Sequence, residues 1–312
     1  MAPLLRPTYN VNRSSIFIIK ENNLQTQIAR AMFQVYEPIV LTGYGAPELQ
    51  TICNQLGLSE HRMSYYAVRS AALGRVAAEV VSATFYHHPV EMVSRAIPLA
   101  WSIASPERIV AARFEAVDQA ARRLLPQQIE SAEIVEAVAL VREAMLGCSI
   151  AGRPLFAAHA ALQWPSEPHV ALWHGLNLFR EHRGDGHISA VMAARLTPNQ
   201  AAPILAAATG EARNSRSARW PDDIWDQTVA ELQERGWLDD AGMLTDEGLA
   251  ARTRIEDETD DLALGPWLQL GKERTHRLWT ILNDLLQVIL DQNGLPGLRT
   301  PIGLSWPAQW PG

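Results

Sequence analysis

The sequence predicts an all-α, mainly helical protein in which a single short β-hairpin interrupts the helices. Apolar side chains recur every three to four residues through most of the chain, which is the spacing of amphipathic helices. Proline and glycine, 19 residues of each, divide this pattern into segments with typical helix starts and ends. Only residues 237–245 show two short β-like pairs around a turn. We therefore expect a helical body with one hairpin near its C-terminal end.

The composition is that of an ordinary globular protein. The 312 residues are 47% hydrophobic and 20% charged, so a sizeable core can be buried, and the net charge of −7 disfavours phosphate contacts with nucleic acid. The two cysteines lie far apart without a CxxC spacing, which favours free thiols in a reducing compartment. The sequence contains neither a bilayer-spanning apolar run nor a signal-peptide core. We expect a cytoplasmic protein without membrane contact.

The first half of the chain is predicted to contain an extension and a helical domain. Residues 1–23 form the N-terminal extension, in which the apolar run at 16–19 is expected to be a short strand or a loose arm. Residues 24–150 form the helical domain, with its clearest helices at 107–125 and after Ser131. The glycines and prolines between residues 147 and 168 indicate a soft boundary there.

The second half is predicted to form a winged-helix domain over residues 151–292 with a C-terminal helix, followed by an irregular tail at 293–312. A helix at 170–182 is expected to close at Gly184, before a short helix at 187–196. The remaining elements are a helix–turn–helix pair, the hairpin, a further helix and a final amphipathic helix, at residues 197–210, 221–236, 237–245, 246–264 and 272–290. A helix–turn–helix followed by a hairpin and a further helix is typical of a winged helix.

The segment LQERGWLDDAGMLTDEG, residues 232–248, resembles the recognition helix, wing and following helix of MarR-type regulators. It departs from their pattern where DNA contact would occur, because the wing is a tight turn on Asp239 and Asp240 without the arginine that such wings insert into the minor groove. The presumed reading helix and its end carry five acids and one cation, Asp222, Asp223, Asp226, Glu231, Glu234 and Arg235. Such a surface repels phosphates, which leaves three cations in the preceding loop, Arg213, Arg216 and Arg219. We expect a packing module; DNA binding is disfavoured but is kept as an alternative.

The densest group of polar residues is the stretch REHRGDGH at 180–187. An arginine of this stretch would clamp an anionic group, and a histidine oriented by a neighbouring carboxylate would exchange protons. The helix before it presents His174 on the same stripe as Glu181, two turns apart. The predicted catalytic residues are His182, Asp185 and His187. The predicted ligand-binding residues of this region are His174, Arg180, Glu181 and Arg183.

Two other interpretations of this stretch are open at the level of sequence. Gly184 is a natural end of one helix and Asp185 a natural start of the next, so the polar residues would only cap helices. Histidine and glutamate are also allowed metal ligands, but the spacing of those in this region matches no standard metal motif, so no metal is predicted.

A second cluster lies in the first half of the chain. Tyr65 and Arg69 are one turn apart on a helix face, and Tyr86 stands beside two histidines at the end of the next helical stretch. These side chains are predicted to form the opposite wall of a ligand pocket between the domains, a common place for such sites. The alternative is that Tyr65 belongs to the core and that the histidines are solvated.

Longer segments indicate a family. LWHGLNLFREHRGDGH, with GRPLFAAHAAL before it and LTDEGLAARTRIEDETDDLALGPW after it, resembles an actinobacterial family of two-domain helical proteins described only as helix-turn-helix domain-containing. EPIV, YYAVRSAALG and ATFYHHP in the first half are similar to the same family. The resemblance covers roughly residues 24–290 and implies a two-domain helical fold without implying an activity.

The favoured hypothesis is a small-molecule-binding protein with its pocket between the two domains. If it is an enzyme, proton transfer by a histidine–carboxylate pair is the least demanding chemistry. The sequence has no GxSxG, P-loop, GxGxxG or zinc signature, so no cofactor is predicted. The alternatives are a ligand-responsive MarR-like transcription regulator and an acidic protein-interaction scaffold, and a homodimer is a further expectation.

Overall fold

The computed structural model describes residues 13–208, 220–295 and 308–311. The prediction of an all-α protein is confirmed, since these residues are mainly helical. The helices of the first half are α1 (Arg13–Gly45), α2 (Pro47–Gln55), α3 (His61–Ser70), α4 (Ala78–Phe85), α5 (Val90–Val93), α6 (Leu99–Ile103), α7 (Pro106–Leu124) and α8 (Ala132–Ala144). Those of the second half are α9 (Pro154–Ala160), α10 (Pro168–Ala193), α11 (Ala201–Ala208), α12 (Asp222–Glu234), α13 (Asp246–Asp261), α14 (Gly265–Leu270) and α15 (Lys272–Asp291).

Several helices begin directly after a residue whose side chain caps the first turn. The Ser131 hydroxyl accepts from the N–H of Ile134 at the start of α8, at 3.4 Å. The Thr245 hydroxyl accepts from the N–H of Gly248 at the start of α13, at 3.0 Å. Thr245 and Ser131 are therefore N-caps that fix the first turns of these helices.

The expected break in the second half is wrong, because α10 runs without interruption from Pro168 to Ala193. Gly184 does not end a helix and Asp185 does not begin one. Most of the helix is buried, and at Gly186 an added Cβ would lie 2.8 Å from Nη1 of Arg153 and 3.2 Å from Cβ of Leu262. Glycine at 186 serves this close approach, and the packing outweighs a cost of about 1 kcal/mol for glycine inside a helix.

A second difference concerns the N-terminal segment. Helix α1 begins at Arg13, so the apolar run at 16–19 has a helical backbone and is not a strand. The helix start therefore lies within the predicted extension at 1–23.

The buried apolar side chains of the described residues form three clusters. The first lies between α1, α7, α8, α10, α14 and α15, and the second between α2, α3, α4, α6 and α7. The third joins the C-terminal end of α10 to α11, α12 and α13. The first cluster takes residues from both sides of the boundary at 147–168, and the division of the chain at residue 150 stays a prediction.

The hairpin region contains one antiparallel bridge, between Leu238 and Leu244. Its turn is built by Asp239, whose Oδ1 accepts from the N–H groups of Ala241 at 2.9 Å and Met243 at 2.8 Å. Gly242 has a φ of 77°, which favours glycine. The connection between α12 and α13 is therefore a tight turn.

A search of the described helices for one both long and apolar enough to cross a membrane finds none.

Candidate functional site

The two polar clusters that the sequence predicts, about 110 residues apart in the chain, meet in the structure. Nη2 of Arg69 on α3 donates to Oε2 of Glu181 on α10 at 3.0 Å. Nη1 of the same arginine donates to the Tyr65 hydroxyl at 3.3 Å, and Nη1 of Arg180 donates to Oε1 of Glu181 at 2.8 Å. Helices α3 and α10 are thus joined by a carboxylate shared between two guanidinium groups.

The charges in this contact hold Glu181 ionised. Burial, with the side chain only 1% exposed, raises its pKa, but Arg69 and Arg180 outweigh burial and lower the pKa to about 2. Arg180 also donates to Glu37 on α1 at 3.0 Å. The group therefore ties α1, α3 and α10 together.

Helix α4 ends in a strained turn beside this contact. Tyr86 has φ 58° and ψ −58°, and the N–H of His87 donates to the carbonyl of Phe85 at 2.6 Å, which is the geometry of a γ-turn with positive φ. The Tyr86 hydroxyl donates to the carbonyl of Leu196 at 2.6 Å and secures the turn to the end of α10. As a result, the His87 ring lies 6.2 Å from the ring of His187 on α10.

Hydrogen bonding fixes the tautomer of His187. The Thr259 hydroxyl has one proton, which it donates to the carbonyl of Ile255 at 2.7 Å. Nδ1 of His187, 3.1 Å from the same hydroxyl oxygen, must therefore donate to it. Burial lowers the pKa of His187 to about 4, so the ring is neutral at pH 7 and its Nε2 carries a lone pair.

These residues define a surface that we call the seam, made of Tyr65, Arg69, Tyr86, His87 and His187. All five side chains are partly exposed. Arg69 lies over the Phe85 ring at 4.3 Å, and the Tyr65 ring lies 6.3 Å from that ring. The seam combines aromatic faces with a cation and two imidazoles, of which that of His187 is neutral.

Arg183 lies in a different ion-pair group. Its Nη2 donates to Asp260 at 2.9 Å and to Glu256 at 3.1 Å, both on α13. Arg30 on α1 pairs with the same Asp260 at 2.5 Å, and the Arg183 guanidinium lies 3.8 Å from the centre of the Phe33 ring. This group joins α1, α10 and α13, and its charges act on His187 of the seam.

The side chains of His182 and Asp185 contact α9, and no hydrogen bond joins the two to each other in the described part of the chain. Oδ2 of Asp185 accepts from the N–H of Phe156 on α9 at 2.9 Å, and burial raises the Asp185 pKa to about 6. The His182 ring packs edge-on against the Phe156 ring at 5.0 Å. Burial, and then the charge of Arg153, lower the pKa of His182 to about 3.

His174 is separated from the seam. Its ring contacts the rings of Phe114 at 5.4 Å and Trp164 at 5.2 Å. Burial lowers its pKa to about 3, so it is neutral. The stripe that places His174 and Glu181 on one helix face does not bring them to one site.

Behind the seam lies a buried polar network that was not predicted from the sequence. Nε2 of His159 donates to the carbonyl of Arg69 at 3.1 Å, so its Nδ1 accepts, from Asn177 at 3.2 Å and from Arg113 at 3.3 Å. The Tyr44 hydroxyl donates to Oδ1 of Asn177 at 2.9 Å. His159 lies in the family segment GRPLFAAHAAL, but Arg113 has no local sequence signal beyond its place in an amphipathic helix.

The acidic surface predicted for the reading helix is present. On α12, Asp222, Asp223 and Asp226 are exposed. Arg235, at the end of the helix, donates to the carbonyl of Ala194 at 2.9 Å and stacks 3.7 Å from the centre of a Trp237 ring. The three arginines of the preceding loop, Arg213, Arg216 and Arg219, lie outside the described residues.

The structure gives no support to a metal site at these histidines and acids. In the described ranges, no three histidine, cysteine, aspartate or glutamate side chains are grouped as a metal ion would require.

The fold and the comparisons define the class of protein. The chain is a mainly helical protein whose third core packs α11, α12 and α13 together. It belongs to a helix-turn-helix family, because the model of that family matches residues 29–296, which is most of the chain. Searches of curated proteins and of solved structures gave no match.

Proposed function

We propose that this helix-turn-helix family protein binds a small planar molecule in the seam. The proposal is carried by two residues of this partly exposed surface, His187 and Arg69. His187 can accept a further hydrogen bond, and Arg69 can donate one. Nε2 of His187 makes no hydrogen bond to the described residues, while Nη1 and Nη2 of Arg69 each carry a second N–H.

The chemistry of the seam supports a neutral aromatic ligand. The lone pair of His187 requires an N–H or O–H donor, and Arg69 requires an acceptor oxygen. The Tyr65 ring stacks on the His88 ring at 5.8 Å, and the partly exposed rings of Tyr65, His87 and His187 supply the aromatic surface for a planar group. Benzamide is a simple probe that carries a ring, a donor and an acceptor.

Binding is supported better than catalysis. The pKa values of about 3 for His182 and about 4 for His187 lie far below 7, so neither imidazole is a strong base at neutral pH. Asp185 is held by the N–H of Phe156. We therefore propose no acid–base step for these three residues.

The two arginines expected to clamp an anion have carboxylate partners. Arg180 pairs with Glu37 and Glu181, and Arg183 pairs with Glu256 and Asp260. We assign both to holding helices together, and we assign ligand contact to Arg69.

The proposal predicts that benzamide binds the wild-type protein and that His187→Leu weakens binding by about five- to tenfold. The reason is the loss of one ligand hydrogen bond, worth about 1–1.5 kcal/mol. His187→Gln, which retains an acceptor, should recover part of the affinity. Isothermal titration calorimetry measures the dissociation constants, and circular dichroism checks that the helical content is unchanged.

His276→Leu is the matched control, because this histidine lies on α15 beside Trp279 and Trp310, outside the seam. It should bind benzamide as the wild type does. Equal affinity in the wild type and His187→Leu, or no binding to the folded wild type, would contradict the proposal.

A second candidate is a ligand-responsive, MarR-like transcription regulator, which the family description favours. In this interpretation α11, α12, the bridged turn and α13 form a winged helix that contacts DNA. The exposed acids of α12 argue against it. Fluorescence anisotropy with random duplex DNA tests it, since a regulator would bind tightly at low salt and lose affinity steeply as salt rises.

A further inference from the structure

Arg113 on α7 is a fully buried cation whose guanidinium is only partly satisfied. The residue is 0% exposed, and Nη1 donates to His159 at 3.3 Å. Nε and Nη2 have no hydrogen-bond partner in the described structure. These two atoms form one edge of the planar guanidinium, with nearly parallel N–H bonds that suit a single anion.

The charges around Arg113 do not balance. Arg153 and Asp185, which is ionised above its pKa of about 6, offset each other, while Arg69, Arg113 and Arg180 carry three positive charges against the two negative charges of Glu37 and Glu181. Both carboxylates are already hydrogen-bonded to Arg69 or Arg180. Arg113 forms no ion pair with a carboxylate among the described residues, so one positive charge is left without a counter-charge in the interior.

The neighbouring polar groups do not supply that counter-charge. His159 is neutral, because burial lowers its pKa to about 3. Asn177 and Tyr44 are also uncharged. A buried ionised group without a counter-charge is strongly unfavourable, and an enclosed ion or water is a common explanation for unpaired buried donors.

A second buried residue with unpaired polar atoms lies close to Arg113. His174 is 0% exposed and neither of its ring nitrogens has a partner in the described structure. Its ring contacts Phe114, and the Arg113 guanidinium lies 5.2 Å from the centre of the same Phe114 ring. The neutral imidazole adds one N–H donor to this part of the interior.

We infer that Arg113 binds a compact monovalent anion, such as a halide, at its Nε and Nη2 edge between α7, α9 and α10. The single surplus charge sets the valence at one. Full burial of Arg113, His159, His174 and Asn177 limits the anion to a few atoms. This inference does not rest on the proposed ligand function of the seam.

The most direct test is anomalous diffraction from crystals of the full chain grown or soaked in sodium bromide. The expected result is a bromide peak within hydrogen-bond distance of both Nε and Nη2 of Arg113. A water molecule at that edge, no density there, or bromide found only at the protein surface would overturn the inference.

A solution experiment tests the same site. Replacing sodium gluconate by sodium chloride at equal ionic strength should raise the Tm of the wild type by about 2–4 °C, because gluconate is too large to enter. Arg113→Met should remove this chloride effect, and Arg122→Met, an exposed arginine on the same helix, should keep it. A chloride effect retained in Arg113→Met would overturn the inference; if that variant does not fold, the bromide diffraction decides.

Discussion

At the scale of single residues, buried cations of α10 are tolerated because each meets a carboxylate from another helix. Arg183 is the clearest example, with its side chain 7% exposed and its partner Asp260 3% exposed. Taking two charges out of water is costly, and removing one partner leaves the other without compensation. Arg30 reaches the same carboxylate from α1 and spreads the charge over three helices.

Arg183→Met should destabilise the protein by about 3–5 kcal/mol, because Asp260 loses a buried partner. Urea unfolding followed by circular dichroism measures the change. Arg277→Met is the control, since Arg277 pairs with Glu136 at the surface and should change stability little. An equal, small effect of both variants would show that Arg183 is not a buried structural cation.

At the scale of elements, α10 organises the molecule, because it borders the first and third cores and carries both ion-pair groups. The two glycines of its polar stretch, Gly184 and Gly186, have different surroundings. A Cβ at Gly184 would have only Oε2 of Glu181 nearby, at 3.9 Å. A Cβ at Gly186 would press against Arg153, which is held by the carbonyl groups of His182 and Leu262.

Gly184→Ala should therefore stabilise the protein by about 0.5–1 kcal/mol, because alanine suits a helix interior better than glycine. Gly186→Ala should destabilise it, because the added methyl group displaces Arg153. Urea unfolding of the two variants measures both changes in the free energy of unfolding and shows whether their signs are opposite. If Gly184→Ala instead destabilises the protein, this would indicate that the helix is interrupted at residue 184.

Local signals predict the starts of helices better than their continuity. The sequence predicts helix starts at Ser131 and at residue 246, and in the structure Ser131 and Thr245 cap α8 and α13 at these positions. Gly184 has the sequence of a helix end, but α10 continues because α1, α8, α9 and α13 pack around it. Such packing depends on residues distant in the chain, which sequence periodicity does not reveal.

The candidate site, like the helices, could be predicted from the sequence only in part. The clusters around Arg69 and around residues 180–187 are visible as polar groups in the sequence, and they meet at Glu181. The γ-turn at Tyr86 and the buried Arg113 were not predictable, because a strained φ and an unpaired edge arise only from tertiary contacts.

At the scale of the whole molecule, most of the polar stretch of α10 lies inside the protein. Four histidines are then neutral: His159, His174 and His182 are buried and have pKa values lowered by burial to about 3, and the partly exposed His187 has a pKa lowered by desolvation to about 4. Burial raises the pKa of Asp185 to about 6, which acts in the opposite direction.

The pH dependence of unfolding tests this claim most directly. Near pH 5 the unfolded chain binds four histidine protons that the folded protein lacks, while folded Asp185 keeps one that the unfolded chain releases. The unfolded chain therefore binds three more protons than the folded protein. As the pH falls below 6.5, the free energy of unfolding decreases, by about 4 kcal/mol per pH unit near pH 5.

Urea unfolding at a series of pH values between 4 and 7 measures this slope. Asp185→Asn should make the slope steeper, because the unfolded chain then binds four more protons than the folded protein instead of three. We predict the steep loss of stability below pH 6.5. A nearly flat profile over this range would mean that the histidines are solvated in the folded protein and would contradict the account.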